Sequence, residues 1–210
     1  MAPLSPQELE RRILREEGGL IAVDKPYDLP STGRQLDDPD SLQHALIERC
    51  GTMVWAVHQL DADTTGVNLF TSERALVRKW QSKLQYPTAR KSYVGVVHGG
   101  ISGAEILIDS DIDGRKAITR LQPLDQTGDA CLVRVWIETG RTHQIRIHLQ
   151  RIGHPLLGER WYRQPSCTRH PRQALHAHSI QLPEITLTAP VPDDLRSLAD
   201  QLGLALPKNH

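Results

Sequence analysis

Apolar positions along this chain come mostly in short runs cut by Gly, Pro, Ser and Asp, with a few stretches at helical spacing. Ser5-Pro6-Gln7-Glu8 has the form of a capping box with Pro in the first turn, so a helix is expected from Ser5 to about Glu17, stopping at Gly18-Gly19. Leu20 to Val23 is a short apolar strand, and Tyr27 to Asp40 reads as a loop. Ser41 can cap a helix to about Cys50. Met53 to Leu60 and Val67 to Phe70 are strand-like, with a turn from Asp61 to Gly66 between them. Leu76, Trp80 and Leu84 are spaced by four, which predicts a helix from Ser72 or Glu73 to about Leu84.

The next hundred residues are mainly β in character. Ser92 to His98, Glu105 to Ile108, Lys116 to Leu121 and Cys131 to Thr139 read as strands. Ile145, Leu149 and Ile152 predict a helix over Thr142 to Ile152 and should pack in the core. Arg160 to Ala174 reads as a long polar excursion, Ser179 to Leu187 as a hairpin bent at Pro183-Glu184, and Asp193 as the cap of a last helix. Strands follow one another without enough chain for crossover helices. The expected fold class is therefore α/β (α+β), with substantial antiparallel character.

At 210 residues the chain is expected to form a single catalytic-size domain, 1–210, of one or two lobes. It can bury about 70% of its unfolded surface, so it needs no disulfide or metal staple. No run approaches the roughly 18 apolar residues of a membrane span, and the charged first residues do not form a secretory signal. Cys50, Cys131 and Cys167 are far apart, which points to a reducing, cytoplasmic setting rather than a disulfide framework.

Net charge is zero, with 25 basic and 25 acidic residues, so the position of the charge matters more than its sum. From Arg141 to Arg172 there are seven Arg, no Lys and one acid, Glu159. Acids gather elsewhere, as at Asp37, Asp38 and Asp40. A neutral protein with one basic face can bind a polyanion, although the same surplus also fits a solvated surface.

Four segments carry side chains suited to chemistry. In His58-Gln59-Leu60-Asp61-Ala62-Asp63-Thr64-Thr65-Gly66, a carboxylate follows a strand inside a hydroxyl-rich turn. It can serve as nucleophile or base, or merely cap its own turn. In Gly140-Arg141-Thr142-His143-Gln144-Ile145-Arg146-Ile147-His148-Leu149, polar groups crowd the first turns of a helix, where free amides favour anions. Arg146 is placed to pair with a buried carboxylate or a phosphate. His143, His148 and His154 lack the spacing of a helical metal site. Lys91 and Tyr93 share a strand face, and Lys25 stands at a strand end in Asp24-Lys25-Pro26.

In combination these segments resemble the RluA-type family of RNA pseudouridine synthases. His58-Gln59-Leu60-Asp61-x-x-Thr64-Thr65-Gly66 is similar to the family's His-Arg-Leu-Asp-x-x-Thr-Ser-Gly element. The stretch from Gly140 through Ile152-Gly153-His154-Pro155-Leu156-Leu157-Gly158 is close to its longest signature. Val23-Asp24-Lys25-Pro26, Lys91-Ser92-Tyr93 and Leu175-His176-Ala177 fall in the expected order, and the likeness spans Leu20 to Pro192.

The resemblance implies a mixed, largely antiparallel sheet flanked by helices, with a central active-site cleft. It implies an isomerase that breaks the glycosidic bond of uridine within RNA, turns the uracil and rejoins C5 to the ribose, without cofactor or metal. Asp61 matches the catalytic aspartate, Tyr93 the base-stacking tyrosine and Arg146 the arginine paired with the aspartate. Substrate contacts are implied for Gln59, His58, Thr64, Lys25, Arg141, His143 and Leu175. Phosphate contacts are expected from Arg141, Arg151, Arg160, Arg163, Arg169 and Arg172.

The implied partner is RNA, ribosomal or transfer, with no membrane, and the chain is expected to be a monomer. The separate N-terminal RNA-binding domain of some relatives is not expected. Gln59 stands where the family has Arg, removing a charge and a planar fork from the RNA side. An inactive RNA-binding relative is the alternative that this change favours. A hydrolase using Asp61 and Asp63 is a third reading, supported only by their closeness.

Overall fold

The computed structural model describes residues 4–35, 38–163 and 165–206. Asp37, one of the acids noted above, lies outside them. The chain groups into two compact units, Met1–Ala89 with Ser179–Ala189, and Arg90–His178 with Pro190–His210.

The first unit opens with α1 (Pro6–Arg12), where Ser5 and Glu8 make the reciprocal capping box that the sequence announces. The helix ends earlier than expected. Ile13–Glu17 forms strand β1, paired antiparallel with β2 (Leu20–Lys25). Gly18 and Gly19, expected to stop a helix, instead take positive φ of 54° and 75° in a two-residue hairpin turn. The branched Ile13 favours the extended ladder over another helical turn.

Helix α2 (Leu42–Cys50) is capped by Ser41 and closed by Gly51 in the left-handed region. The expected strand over Met53 to Leu60 shrinks to β3 (Trp55–Ala56), because Val57 and His58 meet Leu69 and Asn68 through irregular and side-chain bonds and Leu60 turns to Ser31. Strand β4 (Thr65–Thr71) pairs antiparallel with β2 and β3, and α3 spans Leu76–Lys83.

Alternation along β2 explains why this sheet is buried on both faces. Leu20 and Ala22 join Val67, Leu69, Leu84 and Ile180 in one cluster. Ile21 and Val23 join Leu9, Leu42, Leu46 and Phe70 in another. Helices α1 and α2 therefore cover one face, while Trp80 and Leu84 of the α3 region cover the other.

The second unit holds an antiparallel sheet in which a three-strand meander takes an earlier strand beside its last. Its strands are β5 (Arg90–His98), β6 (Ile106–Asp109), β7 (Ile118–Gln126) and β8 (Ala130–Ile137). They pair β5 with β8, β8 with β7 and β7 with β6, and the β7–β8 register shifts between Pro123 and Asp125. Helix α4 covers Gln144–Arg151, with Ile145 and Leu149 buried as predicted and Ile152 half-buried.

Strand β9 (Leu175–Leu182) then begins in the second unit and ends in the first, where it forms the expected hairpin with β10 (Ile185–Thr188). The last helix, α5 (Asp193–Gln201), is preceded by Pro192 at its cap position. Asp193 is thus its first helical residue rather than its cap, where its charge still suits the helix dipole. Val94, Val96 and Leu132 pack with Leu157, Ala174, Leu195 and Leu198 as this unit's core. The architecture is α+β with mostly antiparallel strands.

No helix among the described residues is long and apolar enough to cross a membrane.

Candidate active site

The first motif lies wholly in the first unit, running from the chain after β3 into the first residues of β4. Its anchorage is mostly backbone. Val57 N–H donates to Leu69 O at 2.8 Å, and the His58 Nε2 accepts from Leu69 N–H at 3.2 Å. The Asn68 amide donates to His58 O. Ser31 Oγ accepts from Leu60 N–H at 2.9 Å and donates to Leu60 O at 3.2 Å.

On the other side of Asp61, Ala62 O accepts from the Lys25 ammonium at 2.7 Å and from Leu29 N–H at 3.4 Å. Thr64 N–H closes the turn onto Asp61 O at 3.0 Å. Both peptides flanking Asp61 are therefore fixed, while Asp61 itself stays half-buried. Gly66, just inside β4, takes φ 110°, a conformation natural only to glycine.

Two of the expected substrate contacts bond to backbone in this unit. Lys25 is 0% exposed, and its ammonium also donates to Pro26 O and Leu29 O. It acts from within, joining a strand end, a loop and the Asp61 turn. The His58 ring is likewise engaged with the backbone of β4. Thr64 is buried, whereas Gln59 is exposed, with its amide donating to Thr32 Oγ1 at 3.0 Å.

The second motif builds a separate polar centre in the second unit. His143, at the cap of α4, has φ 53°, a left-handed geometry uncommon outside glycine. Gln144 ties the helix start to β7 and to the preceding loop, donating to Ile118 O and Thr119 Oγ1 and accepting from Arg141 N–H.

Arg146 and Glu159 form a buried fork. Nε meets Oε2 at 2.8 Å and Nη2 meets Oε1 at 2.9 Å, with the side chains 5% and 0% exposed. Glu159 Oε1 also accepts from the Trp161 and Tyr162 amides. Burial works against the Glu159 charge, but the guanidinium and the two amides outweigh it and hold its carboxyl below the ordinary value.

Aromatic rings complete this centre. The Arg146 guanidinium lies 5.1 Å from the Trp161 ring and 5.2 Å from that of Tyr162. His143 Nδ1 and the Tyr162 hydroxyl are 2.6 Å apart. Trp161 is 69% exposed, an unusual position for an indole. Burial and proximity in this unit separate the expected phosphate ligands. Arg172 is 1% exposed, forks onto Asp194 at 2.7 and 3.1 Å and donates to Gln173 O and Leu175 O, so its role is internal. Arg141 and Arg151 reach backbone carbonyls of Lys116 and Asp111 from the surface.

Tyr93, on β5, is 8% exposed and sits opposite Val135, while Leu175 at the start of β9 is 3% exposed. Burial lowers the Lys91 ammonium below its ordinary value. The structure thus gathers Arg146 and His143 around Trp161 and Tyr162 in the unit that also holds Tyr93 and Leu175, and places Asp61, His58, Gln59, Thr64 and Lys25 in the other. Glu159, Trp161 and Tyr162 were not picked out by the sequence. The available signal was Glu159 as the lone acid among seven arginines. Among the described residues, no group of three or more His, Cys, Asp or Glu could hold a metal ion.

Gly158 fixes the approach to this centre. It has φ 77°, and a Cβ there would fall 1.8 Å from Arg172 O and 2.6 Å from its carbonyl carbon. Gly158→Ala should therefore destabilise the protein by about 2 kcal/mol or more, since backbone cannot swing aside as a side chain does. A thermal melt equal to the parent's would show that this close approach is not required.

Comparison with known proteins agrees with the two motifs. The RNA pseudouridylate synthase family model matches residues 19–151. An uncharacterized RNA pseudouridine synthase of Synechocystis is 32% identical over 238 residues, covering 96% of this chain and 72% of that protein. A dual-specificity RNA pseudouridine synthase of Vibrio cholerae is 30% identical over 185 residues, covering 80% and 75%. The human RNA pseudouridylate synthase domain containing 4 has the same fold, with a TM-score of 0.81 at 22% identity over 96% of this chain and 97% of that one. With its motifs, its fold and these relatives in agreement, the chain belongs to the RluA-type family of RNA pseudouridine synthases, which are isomerases.

Proposed function

We propose that this protein isomerises uridine to pseudouridine within a structured RNA, ribosomal or transfer, with Asp61 as the catalytic carboxylate. One observation carries the reading: the Asp61 turn is fastened on both sides, at Leu60 and Ala62, while its carboxylate remains half-buried rather than sealed in. Such preorganisation holds a reacting group in place before the substrate arrives.

In the proposed reaction the N1–C1′ bond of uridine breaks, C5 bonds to C1′, and the C5 proton leaves while N1 gains one. Asp61 is open to three routes: attack at C1′, attack at C6, or removal of a ribose proton. Tyr93 stacks on the uracil and assists loss of the C5 proton. Arg146 takes the part of the arginine that the resemblance pairs with the catalytic carboxylate, its own orientation set by Glu159. The target base must leave its stack, at about a few kcal/mol, which phosphate contacts from the exposed arginines offset.

The test is purified protein incubated with total RNA from a strain lacking the gene, followed by mapping of pseudouridines. New pseudouridine at defined positions, in ribosomal or transfer RNA, is the expected result. Saturable, salt-sensitive binding with no pseudouridine formed would favour the inactive RNA-binding relative. Release of free uracil would favour the hydrolase.

A further inference from the structure

A cleft of about 770 Å³ in the first unit lies beside Gln59 and is lined by residues that the reaction above does not use. Its walls include Trp55, Gln59, Arg74, Arg78 and Gln81. This volume falls within the roughly 300–1,000 Å³ of ligand pockets.

The chemistry of the lining is specific. Arg74 lies two residues before α3 and Arg78 within it, and both line the cleft. Both are exposed, and neither forms an ion pair with a described residue. By contrast, Arg49 forks onto Glu10, and Arg120 bridges Glu105 and Glu138. Trp55 is half-buried and offers a π surface. The Gln81 amide nitrogen donates to Val57 O, and that of Gln59 to Thr32, which leaves their oxygens as acceptors.

We propose that this cleft is an RNA subsite for unstacked nucleotides flanking the target uridine, with phosphates on Arg74 and Arg78 and a base against Trp55. Two guanidiniums in the same lining as Gln59, one just before α3 and one on it, supply the positive charge that Gln59 does not carry. Indole stacking tolerates any base, while the glutamine oxygens accept from base amino groups. The subsite rests on the proposed RNA substrate.

The test is fluorescence anisotropy with a fluorescein-labelled, mixed-sequence, 12-nucleotide single-stranded RNA between 50 and 200 mM KCl. The Arg74→Ala/Arg78→Ala protein should bind more weakly, with the salt slope shallower by about 1.4, from about 0.7 for each phosphate contact. Trp55→Ala should weaken binding about fivefold or more with the slope unchanged, and Trp55→Phe should recover part of the loss. Lys79→Ala, on α3 but outside the lining, should change neither quantity.

An unchanged slope in the double arginine variant, no binding by the parent protein, or an equal change in Lys79→Ala would overturn the subsite. Pseudouridine mapping separates this from the activity. Arginine-dependent binding without pseudouridine would sink the activity and leave the subsite. Full activity of the double arginine variant at limiting RNA would do the reverse.

Discussion

Asp61→Asn protein should melt with the parent and form pseudouridine on the order of a thousandfold more slowly, or not at all. The expectation of an intact fold comes from how the turn is held. Ser31 grips Leu60 through its backbone, Lys25 and Leu29 grip Ala62 O, and Thr64 N–H closes onto Asp61 O. None of these bonds uses the Asp61 carboxylate, and Asn matches its shape. The expectation of lost activity comes from chemistry: an amide is neither a nucleophile nor a base at neutral pH, whichever of the three routes operates. Chromatographic analysis of nucleosides from digested RNA separates the two isomers and measures the rate. If Asp61→Asn protein worked at the parent's rate, Asp61 would not be the catalytic group and the reading of the first motif would fall.

The parts of the molecule that were legible in its sequence are those decided locally. The capping box at Ser5, the Ser41 cap, the Leu149 face of α4 and the hairpin at Pro183-Glu184 depend on neighbours a few residues away. The misreadings share a different cause. Gly18-Gly19 can end a helix or turn a hairpin, and only the pairing of Ile13–Glu17 with β2 decides. Val57 to Leu60 has strand character, but its hydrogen bonds go to Leu69, Asn68 and Ser31 in a pattern that no periodicity announces.

The site divides in the same way. The two motifs showed Asp61 and Arg146 because family resemblance acts on contiguous letters. The groups that brace them are scattered: Ser31 and Leu29 come from a loop, and Glu159, Trp161 and Tyr162 from the edge of a segment that looked merely polar. Composition also cannot separate an arginine such as Arg172, buried against Asp194, from one such as Arg151 at the surface. Burial is a property of the fold, so a run of seven arginines overstated the charge available to RNA.

Glu159→Gln should lower both stability and turnover, and the two losses can be told apart. The Glu159 carboxylate is fully buried and neutralises a guanidinium that is 5% exposed. Removing one charge of such a pair costs about 3–5 kcal/mol, because the other stays in the interior. For a chain of this size that corresponds to a melting temperature lower by roughly 6–20 °C. The pH profile gives the sign. Glu159 titrates below its ordinary value of 4.5 in the folded protein, so its contribution is present above that value and is lost as pH falls through the lower folded value. The parent should therefore lose stability below about pH 4.5, and the variant should lose less over the same interval. Turnover is read well below the variant's melting point. Gln can still accept from the Trp161 and Tyr162 amides, so the backbone of the segment keeps its anchor, but the charged fork that aims Arg146 is gone. A fall in kcat with KM nearly unchanged, partly restored by Glu159→Asp, is the signature of positioning. Full turnover in a folded but less stable variant would confine Glu159 to stability, and Arg146 would then keep its aim through other contacts.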